Sequence, residues 1–239
     1  MHRSEGLVMV GESSRSILSQ EALDSVLSSP EERRVWLHTV FLEGAYTKPE
    51  NKYYVIAPEF NLTIPPDVLT VAAQDIAEGL RPFVQGNEVV YGIPVAGDRV
   101  STPVGLRLWL RSSAARKGKG VPGSWTDVMS LTTHSYTTHE ERVHLHFGFV
   151  NPGMRVFLLD DVIATGETIV DTIEAFRKQN VEVAGVGVMF AKAFERGLQR
   201  VVEEFGVPTI CPVVIEDISD DRRFTLAQFQ HYAKGKQSI

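Results

Sequence analysis

Short apolar runs alternate with segments of helical spacing from about residue 53 to the end of the chain. In the segments between the runs, apolar residues recur every three or four positions. Strand followed by helix, repeated along a chain, is typical of a parallel sheet with helices on its faces. We therefore predict an α/β fold with strands at 53–57, 88–93, 156–159, 183–190 and 209–215. Helices are predicted at 65–80, 100–108, 169–178, 195–204 and 224–232.

The chain divides into three kinds of segment. Two stretches near its start, 17–27 and 31–41, carry apolar residues at helical spacing. We predict a helical extension, residues 1–52, that packs on the core or on a second subunit, followed by the main domain at 53–239. Within that domain, 112–152 is polar and rich in Gly, Ser, Thr and Lys, which predicts a mobile loop and a hairpin outside the main sheet.

Composition narrows the class of protein. The chain has 239 residues, of which 43% are hydrophobic, and a formal net charge of -6. This balance argues against general nucleic-acid affinity, which needs a positive surface. No apolar stretch is long enough to span a bilayer, so no membrane partner is expected. The lone Cys211 lies in an apolar strand-like run, and we expect a reduced, cytoplasmic setting.

One stretch joins the apolar pattern to chemistry. The buried-strand run 156–159 ends in Asp160 and Asp161, and a loop of small and hydroxyl residues, 164–168, then opens a helix. Backbone N–H groups at such a helix start bind an anion, and the two threonines of the loop add hydroxyl donors. Carboxylates beside it can hold sugar hydroxyls or a hard cation. The stretch predicts a site for a phosphorylated ribose.

Residues 156–168 resemble the phosphoribosyl-pyrophosphate (PRPP) signature of type I phosphoribosyltransferases, in which hydrophobic residues precede two acids and an A-T-G-x-T loop. The resemblance implies a parallel sheet flanked by helices, with a hood and a flexible hairpin loop. It also implies a transferase that moves a pentosyl group from PRPP with Mg²⁺ as cofactor. By this resemblance Asp160 and Asp161 bind the ribose and, through ribose or water, the metal. The 5′-phosphate falls to Ala164, Thr165, Gly166, Glu167 and Thr168.

Two further loops match the same family. The turn after Ile93 occupies the place of the pyrophosphate-binding loop, which implies that Val95, Ala96, Gly97 and Asp98 contact PRPP. The stretch 115–120 carries three cations close together and two glycines that supply mobility, as expected for a lid over a pyrophosphate leaving group. With the two aspartates, its cations form the predicted catalytic set: Arg116, Lys117 and Lys119. In the family this loop often reaches the neighbouring subunit's site, which implies a homodimer.

Two matches concern the base. The segment from Ala184 to Phe194 resembles xanthine phosphoribosyltransferases, in which a lysine faces the exocyclic oxygen of the purine; here that lysine is Lys192. Asn61 resembles the asparagine that those enzymes present to the second oxo group. A lysine donates to an oxo group and opposes an amine, so a 6-oxopurine is favoured over adenine. The function implied is purine salvage: phosphoribosyl transfer to a xanthine-like base with release of pyrophosphate.

Alternatives remain. The A-T-G-x-T loop has the form seen in adenine and orotate enzymes, so either base is a rival substrate. A non-catalytic purine regulator that binds PRPP, and DNA through an N-terminal domain, is a second rival. Residues 1–50 carry five cations and eight carboxylates, the wrong sign for a DNA-binding arm. The histidines around 134–146 invite a metal site, but the alternation in 143–147 instead predicts a plain hairpin with His144 and His146 facing outward.

Overall fold

The computed structural model describes residues 15–121, 123–134, 142–227, 231–233 and 236–237. The helices are α1 (Gln20–Leu27), α2 (Pro30–Gly44), α3 (Pro66–Leu80), α4 (Gly97–Leu108), α5 (Glu167–Lys178) and α6 (Gly197–Glu203). The first strands are β1 (Tyr46–Lys48), β2 (Asn51–Ile56), β3 (Val89–Gly92), β4 (Arg111–Ala114), β5 (Arg116–Lys117), β6 (Met129–His134) and β7 (Arg142–Phe147). The later strands are β8 (Arg155–Ile163), β9 (Glu182–Lys192), β10 (Thr209–Ile210), β11 (Val213–Ile218), β12 (Phe224–Leu226), β13 (His231–Ala233) and β14 (Lys236–Gln237).

A parallel sheet forms the centre of the molecule, in the order β10, β9, β8, β3 and β4. Strands β8 and β9 are apolar on both faces, as expected for strands that helices cover on either side. Their register pairs Leu159 with Gly187 and Ile163 with Ala191, so β8 and β9 reach their carboxyl ends side by side. The predicted α/β class, a parallel sheet flanked by helices, is confirmed.

The N-terminal extension packs on this core. Leu37, Val40 and Phe41 of α2 are buried in the same apolar cluster as α3. Arg33, also buried, donates to Asp75 at 3.5 Å and forms an ion pair with Glu78, both on α3. Residue 52, the predicted boundary, falls inside β2, whose partner β1 belongs to the extension. No helix in the described part of the chain is long and apolar enough to cross a membrane.

Three predicted elements differ from the structure, and one strand of the main sheet was not predicted. The run 53–57 forms β2, but it pairs antiparallel with β1 and lies outside the main sheet. The run 209–215 is broken at Cys211 and Pro212 into β10 and β11, which pair with successive parts of β9. The helix predicted at 224–232 is wrong, because 224–226 pair with β11 and 231–233 with β10. β4 was not predicted; its polar residues lie on the sheet edge beside β3.

A separate antiparallel sheet, in the order β5, β7 and β6, confirms the hairpin predicted outside the main sheet. Phe147 at the end of β7 packs against Tyr91 and Phe176, with ring centroids 5.6 and 5.1 Å away. The hydroxyl of Tyr91 donates to the carbonyl of Gly148 at 2.8 Å. The hairpin is therefore fixed to β3 and α5 at its base.

The buried Asp75 makes the attachment of the extension sensitive to pH. Burial raises the pKa of Asp75 from 3.8 to about 6, and the charge of Arg33 only partly opposes this. Because the folded protein holds the proton more tightly, stability falls as pH rises from about 4 through 6. Relative to D75N, we expect the wild-type free energy of unfolding to fall by roughly 3 kcal/mol over that range. Urea unfolding of both proteins at several pH values measures this; a difference independent of pH would contradict it.

Candidate functional site

Two adjacent carboxylates lie at the carboxyl end of β8. Asp160 is 9% exposed, and its Oδ1 accepts the backbone N–H of Asp161 at 2.9 Å. Burial, and then the neighbouring Asp161 charge, raise the pKa of Asp160 well above its usual range. Burial also raises the pKa of Asp161, although hydrogen bonds from Asp160, the backbone and the Asn61 side chain oppose the rise. The two carboxylates therefore need a hydrogen-bond donor or a cation to stabilise their ionised form.

The loop after the acids forms a small recess at the start of α5. Gly166 caps the helix with φ 77°, a left-handed conformation that suits glycine, and no side chain caps the first amides. These amides can therefore meet a ligand anion. The recess has a volume of about 40 Å³ and is lined by Asp160 and residues 162–169, which include all five predicted phosphate-binding residues.

Gly197 supports this loop from behind. Its backbone N–H donates to the carbonyl of Ala164 at 2.9 Å. A Cβ atom on Gly197 would lie 2.2 Å from that carbonyl oxygen and 2.5 Å from the nitrogen of Gly166. The loop can take this course only because α6 begins with glycine.

The second loop, between β3 and α4, lies directly on the acidic strand end. The N–H of Ile93 donates to the carbonyl of Leu159 at 2.8 Å, and the peptide bond between Pro94 and Val95 is cis. A Cβ atom on Gly97 would lie 2.4 Å from that carbonyl oxygen and 2.7 Å from the Cα of Asp160. The loop after β3 therefore comes within van der Waals contact of the acids, as the sequence predicted for a loop of the same site.

A cavity of about 510 Å³ opens beside the two loops. Eight of the predicted site residues line it, drawn from five separate parts of the chain: Asn61, Val95, Ala96, Lys117, Asp160, Asp161, Thr168 and Lys192. Gly97 is buried beneath it, and Asp98 is half-buried with one carboxylate oxygen that has no protein partner among the described residues. The volume of the cavity suits a small-molecule ligand.

Lys192 lies in the wall of the cavity and is only 2% exposed. Its Nζ donates to the carbonyl of Tyr53 at 3.0 Å and to Oε1 of Glu195 at 2.8 Å. Burial lowers the pKa of Lys192, while the hydrogen bond to Glu195 opposes that change. The lysine is therefore held in place rather than extended into solvent.

The predicted lid cations lie on the antiparallel sheet. Arg116 and Lys117 form β5, and Lys119 follows the turn at Gly118; all three side chains are exposed. Lys117 reaches the cavity, whereas Arg116 and Lys119 do not contribute to its described wall. No group of three or more metal-ligating side chains occurs in the described ranges, although His139 lies outside them.

The orientation predicted for the histidines of β7 is wrong for one of them. His144 is exposed as expected, but His146 is 6% exposed and is hydrogen-bonded at both ring nitrogens. The reason is that β5 and the turn after it cover this end of the hairpin. Alternation along one strand carries no information about such a cover.

Known proteins are similar to this chain in sequence. The family model of the phosphoribosyl transferase domain matches residues 114–208. An adenine phosphoribosyltransferase of Gluconobacter oxydans is 30% identical over 135 residues, 56% of this chain and 72% of that protein. Xanthine phosphoribosyltransferase 1 of Clostridium perfringens is 29% identical over 97 residues, 40% of this chain and 50% of the relative. The chain belongs to the type I phosphoribosyltransferase family of enzymes.

Solved structures agree on the fold. The adenine phosphoribosyltransferase of Rhodothermus marinus superimposes with a TM-score of 0.58 and 21% identity, covering 76% of this chain and 99% of that one. The adenine phosphoribosyltransferase of Saccharomyces cerevisiae gives a TM-score of 0.62 at 14% identity, with the same coverage. At these identities the likeness concerns the fold alone. It places this phosphoribosyltransferase on the scaffold that the sequence predicted.

Sequence reasoning missed part of the cavity wall. Lys48 and Tyr54 reach it from the β1–β2 hairpin, and the Lys48 ammonium lies 3.9 Å from the Tyr54 ring centroid. Arg99 reaches it from α4 and donates to the carbonyl of Leu62 at 2.7 Å. Arg99 follows the predicted loop 95–98 by one residue, so its position was a usable signal. The β1–β2 hairpin offered no such signal, because the other residues of the cavity wall lie far from it in the sequence.

Replacing Gly197 by alanine tests the support of the phosphate loop. Because the new methyl group would overlap backbone atoms of 164–166, we expect those residues to shift and PRPP to bind at least tenfold more weakly. Isothermal titration calorimetry measures the dissociation constant. G44A is the matched control, since a Cβ there meets no atom within 4 Å. Equal affinity in G197A and wild type would contradict the role given to this contact.

Asp160→Asn separates binding from stability. Burial raises the pKa of Asp160 above its value in the unfolded chain, so the stability of the wild type falls as pH rises through that raised pKa. The D160N side chain does not ionise, so the variant does not lose this stability at neutral pH. We expect its Tm to rise by about 2–4 °C, the shift that roughly 1 kcal/mol produces in a chain of this size. We also expect PRPP affinity to fall at least tenfold. Differential scanning calorimetry and titration measure the two effects.

The exposed Glu174 of α5 provides the control, E174Q, which should change neither quantity. Donor binding by D160N at wild-type strength would remove Asp160 from the ribose site.

Proposed function

We propose that this enzyme transfers the 5-phosphoribosyl group of PRPP to a purine base and releases pyrophosphate. The observation that carries the proposal is the meeting of the acidic pair, the loop at 95–96, Thr168 and Lys117 around one space of about 510 Å³. Each part suits one part of PRPP. Alongside the donor there is room for a second ligand against Lys192 and Asn61.

The residues divide the work by charge. Asp160 and Asp161 would bind the ribose hydroxyls and face the positive charge that develops at the anomeric carbon. The amides at the start of α5, with Thr165 and Thr168, would hold the 5′-phosphate. The loop at 95–98 and the cations of 116–119 would stabilise the negative charge that appears on the pyrophosphate as the bond breaks.

The acidic pair also fits magnesium. Its ligating atoms are carboxylate oxygens, which this hard cation prefers. The described chain supplies two such groups and no larger cluster, in keeping with a metal held by one or two carboxylates together with substrate oxygens. Asp160 and Asp161 would hold the ion through the ribose or water, and it would neutralise phosphate charge when bound.

For the base we favour a 6-oxopurine of the xanthine type. Lys192 offers an ammonium donor in a buried wall, which suits an exocyclic oxygen and opposes an exocyclic amine. The Asn61 amide donates to Asp161, and its Oδ1 is buried with no protein partner among the described residues. That oxygen offers an acceptor for a ring N–H of the base, in place of the donor role predicted from the sequence.

Adenine is the second candidate, and the comparisons favour it. The relatives that match over the most of this chain carry the name adenine phosphoribosyltransferase. Those names describe the relatives, and their percentage identities of 29–30% leave room for a changed base pocket.

Turnover with adenine, hypoxanthine, guanine, xanthine and orotate, in the presence of PRPP and magnesium, tests the proposal. Product formation from a 6-oxopurine, and little from adenine, is the expected result. Nucleotide from adenine alone would decide for the second candidate. No product from any of the five, despite PRPP binding, would favour a non-catalytic PRPP sensor.

Lys192 variants test the reading of the base. In K192M the apolar stem remains but the donor is lost, so we expect kcat/KM for the 6-oxopurine to fall at least tenfold. PRPP affinity, measured by calorimetry, should change less than twofold. The double variant K192M/E195Q controls for the buried charge left on Glu195 and should show the same selectivity. Equal losses in base turnover and donor binding would refute this role.

A further inference from the structure

The turn that carries the lid cations is held at both of its polar backbone atoms. Gly118, between Lys117 and Lys119, has φ 155°, within the range that favours glycine. Its N–H donates to the carbonyl of His144 at 3.1 Å. Its carbonyl lies 2.9 Å from Nε2 of His146. Both contacts join the turn to β7.

The hydrogen-bond partners of His146 show which of its ring nitrogens carries a proton. A carbonyl oxygen can only accept, so Nε2 carries the proton that meets Gly118. Nδ1 lies 2.7 Å from the hydroxyl of Ser130, which donates to it when the ring is neutral. One chain of hydrogen bonds therefore crosses the hairpin from Ser130 on β6, through His146 on β7, to the turn after β5. His146 is buried at its centre.

This chain of bonds acts on the wall of the cavity. In the register of the sheet, Arg116 lies opposite His146 and Lys117 opposite Leu145. Lys117 and Leu145 both line the cavity, together with Val143 of the same strand. Val143 and Leu145 thus form part of one wall, and the contact between Gly118 and His146 fixes where Lys117 lies along it.

We propose that His146 is a positioning residue that holds the basic turn, so that Lys117 faces the leaving group. His146 does not touch the reacting atoms; it acts through the Gly118 carbonyl. Its effect on turnover rests on the proposed phosphoribosyl transfer, whereas its effect on the order of the turn does not. A buried histidine that merely fills space would be replaceable by an apolar residue without loss at either level.

Three variants separate these roles. H146L keeps an apolar side chain but removes both hydrogen bonds. H146Q places an amide nitrogen at the same number of bonds from Cα as Nε2, so it can still donate to Gly118. H144L is the matched control, because His144 lies on the same strand, is exposed, and makes its 3.0 Å side-chain contact with Thr132 instead. His144 meets Gly118 only through its backbone.

Hydrogen exchange of 116–120 and steady-state kinetics are the readouts. We expect H146L to exchange faster in this segment and to lower kcat by about threefold to tenfold, the range that one net hydrogen bond represents. The KM for the base should stay within twofold. H146Q should recover at least half of the lost kcat, and H144L should match wild type in both measurements.

Several results would overturn the inference. These are unchanged exchange in H146L, turnover equal to that of H144L, or H146Q as impaired as H146L. If H146L fails to fold, H146Q decides alone, since exchange or turnover far from wild type contradicts a role served by the donor to Gly118. If the wild-type enzyme forms no nucleotide, the proposed function fails. The hydrogen exchange of H146L, compared with that of H144L, still decides whether His146 holds the basic turn.

Discussion

Backbone lies against backbone at the carboxyl end of β8, and the geometry of the site depends on this close approach. A Cβ atom on Gly97 would fall 2.4 Å from the carbonyl oxygen of Leu159, and one on Gly197 would fall 2.2 Å from that of Ala164. Two glycines, from elements far apart in the sequence, thus bring a loop onto each side of the acidic pair. A Cβ atom at either position would clash with backbone atoms and force the loops away from the acidic pair. The sheet supplies the rest of the precision, since β3, β8 and β9 pair in a fixed parallel register.

The same packing concentrates charge of one sign. Asp160 is buried and Asp161 is half-buried, and burial raises the pKa of each, so the ligand-free site carries an electrostatic cost. Cations from four separate elements line the cavity with the aspartates: Lys48, Arg99, Lys117 and Lys192. The proposed phosphorylated sugar, with its metal, would contact groups of both signs. Sites of this kind trade stability for binding, as functional sites commonly do.

The sequence allowed much of the site to be predicted, for a local reason. The acidic pair, the phosphate loop and α5 are contiguous, so strand pattern, motif and helix start could all be read in one stretch. The errors come from long-range pairing. Residues 224–226 were predicted as helix, but they add a strand to β11, because tertiary pairing overrides weak local propensity. His146 was predicted to face outward from the alternation along its own strand. The strand that covers it, β5, pairs through Arg116, 30 residues earlier in the chain, and local alternation does not reveal that contact.

The N-terminal extension packs against the part of the cavity that contains Asn61 and Lys192, the residues proposed to bind the base. Phe41 of α2 packs edge-on against Phe60, with centroids 5.3 Å apart, and against Phe190 at 5.6 Å. Phe190 lines the cavity, and Phe60 directly precedes Asn61 in a short π-helical turn. The backbone of Tyr53, on the hairpin that closes the extension, receives the hydrogen bond from Lys192. Both residues assigned to the base are therefore supported by the N-terminal segment, whereas the phosphate loop is supported by α6. Substitutions in the extension are therefore expected to disturb the proposed base-binding residues before they disturb the loops on the other side of the acidic pair.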